Sequence, residues 1–246
     1  MRALVVSDLH ANAEALRAVL ARVRRKKYDV VICLGDFVGY GANPNQVVDT
    51  MRMFRSRKVY IRGNHDRVAS GLDDANGFNQ AAKTSALWTR DHLSPVNRRF
   101  LRDLTVGPLV HKDVLLCHGS PYDEDEYLFN VHHAAQVLAL YHSPFILFGH
   151  THLPAVFSID PDMNVSGFAV RQATTVRLQP NLRYLINPGS VGQPRDRNPD
   201  ASCILLDTDK RTIQFLRVEY DIAKTQTQIL KAGLPEILAT RLTYGT

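Results

Sequence analysis

Five short apolar runs, each ending in an acidic, amide or imidazole side chain, constrain this chain more than any other feature. They are V-V-S-D-L-H at Val5 to His10, V-V-I-C-L-G-D at Val30 to Asp36, V-Y-I-R-G-N-H-D at Val59 to Asp66, V-L-L-C-H-G at Val114 to Gly119 and F-I-L-F-G-H-T-H at Phe145 to His152. Runs this short and apolar suit buried strands, and open α/β sheets hold ligands beyond the carboxyl ends of such strands. Five strands that all deliver polar residues there point to one site assembled from five loops.

The sequence between the runs supplies helices. Leu16, Val19, Leu20 and Val23 recur at helical spacing behind Asn12, which predicts a capped helix from about Ala13 to Lys27 and a β-α-β unit with parallel strands. Pro44 suits the first turn of a second helix, with Val47, Val48 and Met51 on one face. Residues 67–110 show helical patterns and no strand, at Phe78 to His92 and at Pro95 to Leu104 behind Ser94. They are expected to form a mainly helical insertion within a single domain spanning 1–246. Another helix is expected from about His132 to Tyr141.

Beyond His152 the pattern becomes short β segments, near Ala155 to Ile159, Phe168 to Leu178, Arg183 to Ile186, Ser202 to Asp207 and Thr212 to Arg217. These predict a second, mainly antiparallel sheet packed on the first. A last helix is expected within Ile222 to Leu242, interrupted by Gly233 and Pro235, and Gly192 to Asp200 reads as an exposed polar loop.

Composition narrows the class. With 45% hydrophobic residues in 246, the chain can bury a sizeable core. No apolar run approaches the roughly 18 residues of a transmembrane helix. Met1 leads into a strand-like run instead of a signal peptide, so a soluble cytoplasmic protein is expected. Cys33, Cys117 and Cys203 all lie in apolar runs and read as reduced core residues. The net charge of +6 suits phosphate-bearing ligands. Arg22, Arg24, Arg25, Lys26 and Lys27 belong to the end of the first helix, and no aromatic residues are interleaved with them as a base-stacking surface would require. Nucleic acid and membrane are therefore disfavoured as partners.

The candidate ligands at the loop heads are Asp8, His10, Asp36, Asn64, His65, His118, His150 and His152. Carboxylate oxygen, amide oxygen and neutral imidazole nitrogen together suit Mn²⁺, Fe²⁺, Co²⁺, Ni²⁺ or Zn²⁺, whereas an all-oxygen set would suit Mg²⁺ or Ca²⁺. Even seven of these eight exceed the needs of one ion. A shared carboxylate would divide them into two sets of four around ions about 3.5–4 Å apart, an arrangement that neutralises a phosphate and yields hydroxide near neutral pH.

The ordered blocks D-L-H, G-D, G-N-H-D, C-H-G and G-H-T-H resemble the calcineurin-like metallophosphoesterase family, over residues 8–152. The resemblance implies an α+β fold with four layers, αββα, in which a two-sheet mixed β-sandwich is flanked by helices. It implies that Asp8, His10, Asp36 and His152 hold one divalent ion, and that Asp36, Asn64, His118 and His150 hold the other. His65 would protonate the leaving oxygen, Arg62 and Asn64 would meet the substrate, and Asp66 would support the loop.

One departure stands out. Protein phosphatases and symmetrical diadenosine tetraphosphatases continue the second block as G-D-x-V-D-R-G, but Gly35 to Gly41 reads G-D-F-V-G-Y-G. Gly39 and Tyr40 thus replace an acid and an arginine, and what orients His65 is left open. I-N-P-G-S-V-G-Q-P-R at Ile186 to Arg195 is similar to a segment of the small bacterial phosphodiesterase branch, with Asn187 to Gly192 read as a tight turn. The resemblance therefore implies a phosphodiesterase that uses metal-bound hydroxide on a small phosphoester, nucleotides included, with a homo-oligomer left open. The alternatives are a phosphomonoesterase, a dinucleoside polyphosphate hydrolase, or a non-catalytic interaction scaffold of the same fold.

Overall fold

The first apolar run divides its side chains between two cores: Ala3 and Val5 face one, Leu4 and Val6 the other. That alternation is the two-residue period of a strand covered on both faces. The computed structural model describes residues 1–246. In chain order its elements begin with β1 (Arg2–Val6), α1 (Ala13–Val23), β2 (Val30–Cys33), α2 (Pro44–Arg52), β3 (Arg57–Tyr60), α3 (Asn64–Ala69), α4 (Gln80–His92) and α5 (Pro95–Arg102). Next come β4 (Leu109–His111), β5 (Val114–Leu116), α6 (Val131–Leu140), β6 (Phe145–Leu147), β7 (Ala155–Ile159), β8 (Val165–Ala169) and β9 (Thr174–Arg177). The chain closes with β10 (Arg183–Asn187), β11 (Ala201–Asp207), β12 (Thr212–Val218), α7 (Ile222–Lys231) and α8 (Glu236–Tyr244).

Two mixed sheets of six strands result, ordered β3-β2-β1-β11-β12-β9 and β4-β5-β6-β10-β7-β8. Ala3, Val5, Ile32 and Ile204 of the first sheet meet Leu116, Phe145, Leu147 and Ile186 of the second in the core between them. The opposite face of the first sheet packs under Leu16 and Val19 of α1 and Val47, Val48 and Met51 of α2. Ala134, Val137 and Leu138 of α6 cover Ile146 and Leu185 of the second sheet. The layers are α, β, β and α, as the resemblance implied. Asn12 caps α1 by accepting from the Ala15 N–H at 3.1 Å.

Several expectations are corrected. The late segments do not make a sheet of their own: β11 pairs antiparallel with β1, while β5 and β6 belong to the second sheet beside β10. The expected Phe168 to Leu178 strand is two strands in different sheets, β8 on β7 and β9 on β12. Helical residues 80–102 are followed by β4, so the segment to residue 110 is not free of strands. Asn64, His65 and Asp66 stand in the first turn of the short α3, not in an open loop. The final helix is interrupted where expected, with Gly233 at a left-handed φ of 70° and Pro235 capping α8. No helix is long and apolar enough to cross a membrane.

Candidate metal centre

Strands β1, β2 and β3 run parallel in one sheet, and β5, β6 and β10 run parallel in the other. The loops after these strands converge. Asp8, His10, Asp36, His150 and His152 all hold a left-handed backbone, with φ of 54°, 46°, 54°, 62° and 61°. Non-glycine residues adopt that region only where the surroundings enforce it. Here the loops brace each other: Asp8 N–H donates to Gly35 O at 3.1 Å, His10 N–H to Asp36 O at 3.0 Å and His150 N–H to Asp8 Oδ1 at 3.2 Å. Gly63 explains part of the G-N-H block, because a Cβ there would come within 2.2 Å of Asp36 Oδ1.

The protons on the imidazoles are fixed by backbone partners. His10 Nδ1 donates to Val38 O at 3.1 Å, His118 Nδ1 to Leu34 O at 2.7 Å and His152 Nδ1 to Gln193 O at 2.6 Å. A carbonyl only accepts, so in each neutral ring Nε2 presents a lone pair. His150 is reversed: Nε2 donates to Asp125 O at 3.1 Å, which leaves Nδ1 as its lone-pair nitrogen.

These lone pairs face one another. His10 Nε2 and His152 Nε2 are 3.0 Å apart, and Asp8 Oδ1 lies 3.5 Å from His152 Nε2. Asp36 Oδ2 lies 3.6 Å from His10 Nε2 and 3.4 Å from His118 Nε2, which in turn is 3.3 Å from Asn64 Oδ1. Asp8 Oδ2 is buried without a partner. Such oxygen and nitrogen donors, crowded together, fit divalent cations. Asp8, His10 and His152 form one group whose ligand atoms lie within 4.8 Å of each other, and Asp36, His118 and His150 form another. His65 makes a third such group with His10 and Asp36.

Burial pushes His10 and His152 well below the usual imidazole range, His150 down to about 3 and His65 down to about 4. All four are therefore neutral donors. Burial would raise Asp36, yet the charged His118 imidazole beside it, which also hydrogen-bonds to it, holds it well below the carboxylate range. Burial would lower His118, but the Asp36 charge outweighs it and lifts the ring to about 10. Proton and metal thus compete for the same nitrogen. Burial also raises Asp8 to about 7, a shift that an adjacent dication would reverse.

His65 owes its orientation to aromatic packing. Its ring centroid lies 4.4 Å from Tyr40 and 4.6 Å from Phe78, with an edge contact to His10 at 5.0 Å. Nδ1 is buried with no hydrogen-bond partner, and a Cβ at Gly39 would approach it to 2.3 Å. The glycine that stands where other branches carry an acid thus makes room for the ring itself.

A calcineurin-like phosphoesterase superfamily domain matches residues 1–211. The chain belongs to this superfamily. An uncharacterised protein of Methanocaldococcus jannaschii is 37% identical, with 98% of this chain and 97% of that protein aligned. The crystal structure of a metallophosphoesterase from Sphaerobacter thermophilus is also 37% identical and superposes with a TM-score of 0.86, covering 100% of this chain and 99% of that one. A hypothetical protein of Pyrococcus horikoshii, 21% identical, shares the fold with a TM-score of 0.81 over 100% and 98% of the two chains. As a calcineurin-like phosphoesterase the protein is a phosphoester hydrolase of a metal-dependent family that acts on small phosphoesters.

Other residues that the sequence singles out are held around the centre of this phosphoesterase. Arg62, expected to meet the substrate, pairs with Glu124 at 3.4 Å. Asp66 accepts from Val38 N–H at 3.3 Å and Gly63 N–H at 3.1 Å, so it ties the second and third loops together. Gly192 to Asp200 is not an exposed loop: Gly192 to Pro194 are buried, Gly192 N–H donates to Asp8 O, and the Gln193 carbonyl is the partner of His152. Asn187 to Gly192 is a turn that also braces the site. Asn187 Nδ2 donates to Gly149 O at 2.8 Å and Thr151 Oγ1 at 3.0 Å, and Ser190 Oγ to Asp8 O at 2.8 Å. The one signal for these contacts was the similarity of that segment to a phosphodiesterase branch.

Proposed function

We propose that this calcineurin-like phosphoesterase is a phosphodiesterase working with two divalent ions that share Asp36. The observation that carries the reading is the position of Asp36 Oδ2 between His10 Nε2 and His118 Nε2, while Oδ1 is held by the His65 N–H at 2.9 Å. Asp8, His10 and His152 complete one ligand set; Asn64, His118 and His150 complete the other. The mixed donors favour Mn²⁺, Fe²⁺, Co²⁺, Ni²⁺ or Zn²⁺. When bound, such a pair neutralises the phosphoryl group and acidifies water for in-line attack.

The side chains of the chain do the rest. Nδ1 of His65 is enclosed against Gly39, so Nε2 is the nitrogen that reaches the cleft. His65 gives its proton to the leaving ester oxygen, and the negative charge of a bound phosphate favours the protonated ring there. The cleft, about 620 Å³, is walled on either side of the centre by Phe78 and Tyr127, which suits the organic groups of a diester. The three cysteines are buried and unpaired, which supports a cytoplasmic setting.

The test compares bis(p-nitrophenyl) phosphate with p-nitrophenyl phosphate in the presence of Mn²⁺. Faster turnover of the diester, abolished by a chelator, is expected. A faster monoester, or hydrolysis indifferent to the chelator, would contradict the reading.

A further inference from the structure

Two guanidiniums beside the ligand cluster pair with no aspartate or glutamate side chain. Arg195 follows β10 and donates through Nη2 to Tyr40 Oη at 3.2 Å and Gln193 Oε1 at 3.3 Å, with its Cζ 5.7 Å from the Tyr40 ring centroid. Arg241, from α8, stands 5.3 Å over the same ring and donates through Nε to a main-chain oxygen of the last residue, Thr246, at 2.7 Å. Arg195 Nε is buried with no partner at all. Nearby, Arg62 is neutralised by Glu124, Arg67 by Asp73, Glu124 and Asp125, and Arg217 by Asp196, whereas Arg171 and Arg197 make no ion pair.

Two cations sharing one tyrosine repel each other unless an anion lies between them. Burial and the Arg195 charge together lower Arg241 to about 10. The arrangement is nonetheless held firmly. Arg197 N–H donates to Gly245 O at 2.9 Å, so the segment of Arg195 is fastened to the end of α8. Leu238 and Leu242 of α8 pack in one cluster with Tyr40.

Tyr40 joins the pair to the site. Tyr40 lines the catalytic cleft, while Arg195 lines a second open cavity of about 740 Å³ that also contains Arg171 and Arg197. The Tyr40 ring lies 4.5 Å from the His10 ring and 4.4 Å from the His65 ring. The guanidiniums are therefore about one aromatic ring away from the ligand cluster, next to the reacting centre and outside it.

We infer that Arg195 and Arg241, braced by Tyr40, form a second anion site that holds a substrate phosphate adjacent to the one being hydrolysed. Planar guanidinium forks match phosphate oxygens, and an anion between the two relieves their repulsion. The substrates so favoured are phosphoesters carrying a diphosphate unit, such as nucleoside diphosphate derivatives. The inference rests on the phosphoester reading of the cleft.

The test uses AMP and α,β-methylene-ADP as inhibitors of bis(p-nitrophenyl) phosphate hydrolysis at fixed free Mn²⁺. In the wild type the diphosphate analogue should inhibit at least tenfold more tightly than AMP. Arg195→Gln and Arg241→Gln should each bring that ratio close to one, and the lysine variants should restore part of it. An unchanged ratio in both glutamine variants, or an equal weakening of both inhibitors, would overturn the inference. A second arm titrates pyrophosphate into the metal-free protein by calorimetry. A tenfold loss of affinity in the variants supports the anion site even if no phosphodiester is hydrolysed, in which case the hydrolase reading alone would fall. Equal affinity in wild type and variants would overturn the anion site alone.

Discussion

His10 Nε2 and His152 Nε2 face each other at 3.0 Å, and the Nδ1 proton of each ring is committed to a backbone carbonyl. Two lone pairs at that distance are stabilised by a shared cation. Metal binding should therefore raise thermal stability. At a free ion concentration about a hundred times Kd the gain is about 2.7 kcal/mol. For a chain of this size that is about 5–10 °C in Tm. Differential scanning fluorimetry with Mn²⁺ and then EDTA should show the rise and its reversal, and the His10→Ala, His152→Ala double variant should lose at least half of it.

Gly39 lies where any side chain would strike His65, with a φ of 89° that also disfavours other residues. Gly39→Ala should displace the ring and mimic His65→Ala. Both should keep their metal content and lose about 10²- to 10⁴-fold in turnover, the range for a positioned proton donor. The loss should be larger for an alkyl leaving group than for p-nitrophenolate, which leaves without a proton. Steady-state kinetics on the two esters, beside metal analysis, checks this.

Asn187 is fully buried, and its amide holds the Gly149 carbonyl and the Thr151 hydroxyl within the G-H-T-H loop. Asn187→Ala leaves the carbonyl without this donor, at a cost of about 1–3 kcal/mol. Because that loop carries His150 and His152, metal affinity should fall about 10- to 100-fold, as when an outer partner of a ligand is removed. Urea denaturation of the apoprotein gives the first quantity and metal titration the second.

The candidate ligands were legible in the sequence because local pattern determines them. A buried strand must be apolar, so Asp8 and Asp36 stand out where β1 and β2 end, and the same holds for His118 and His150 after β5 and β6. Features set by distant partners were not legible. Nothing near Ala201 shows that β11 lies against β1 instead of among the later strands, since antiparallel neighbours need only a matching apolar face. The short α3 holds too few residues to show a helical period after R-G-N-H-D. Arg195 and Arg241 meet on Tyr40 from positions 155 and 201 residues away, and only the folded chain brings them together. The orientation of His65 was open for the opposite reason: it depends on space left by Gly39, and a missing side chain has no pattern of its own.

The most direct test of the shared carboxylate is the metal content of wild type and Asp36→Asn, measured per chain by inductively coupled plasma mass spectrometry after loading with Mn²⁺. Two ions per wild-type chain are expected, with fewer than one in the variant and no measurable hydrolysis of bis(p-nitrophenyl) phosphate. One ion per wild-type chain, or a variant that keeps both ions and full activity, would contradict a centre built around Asp36.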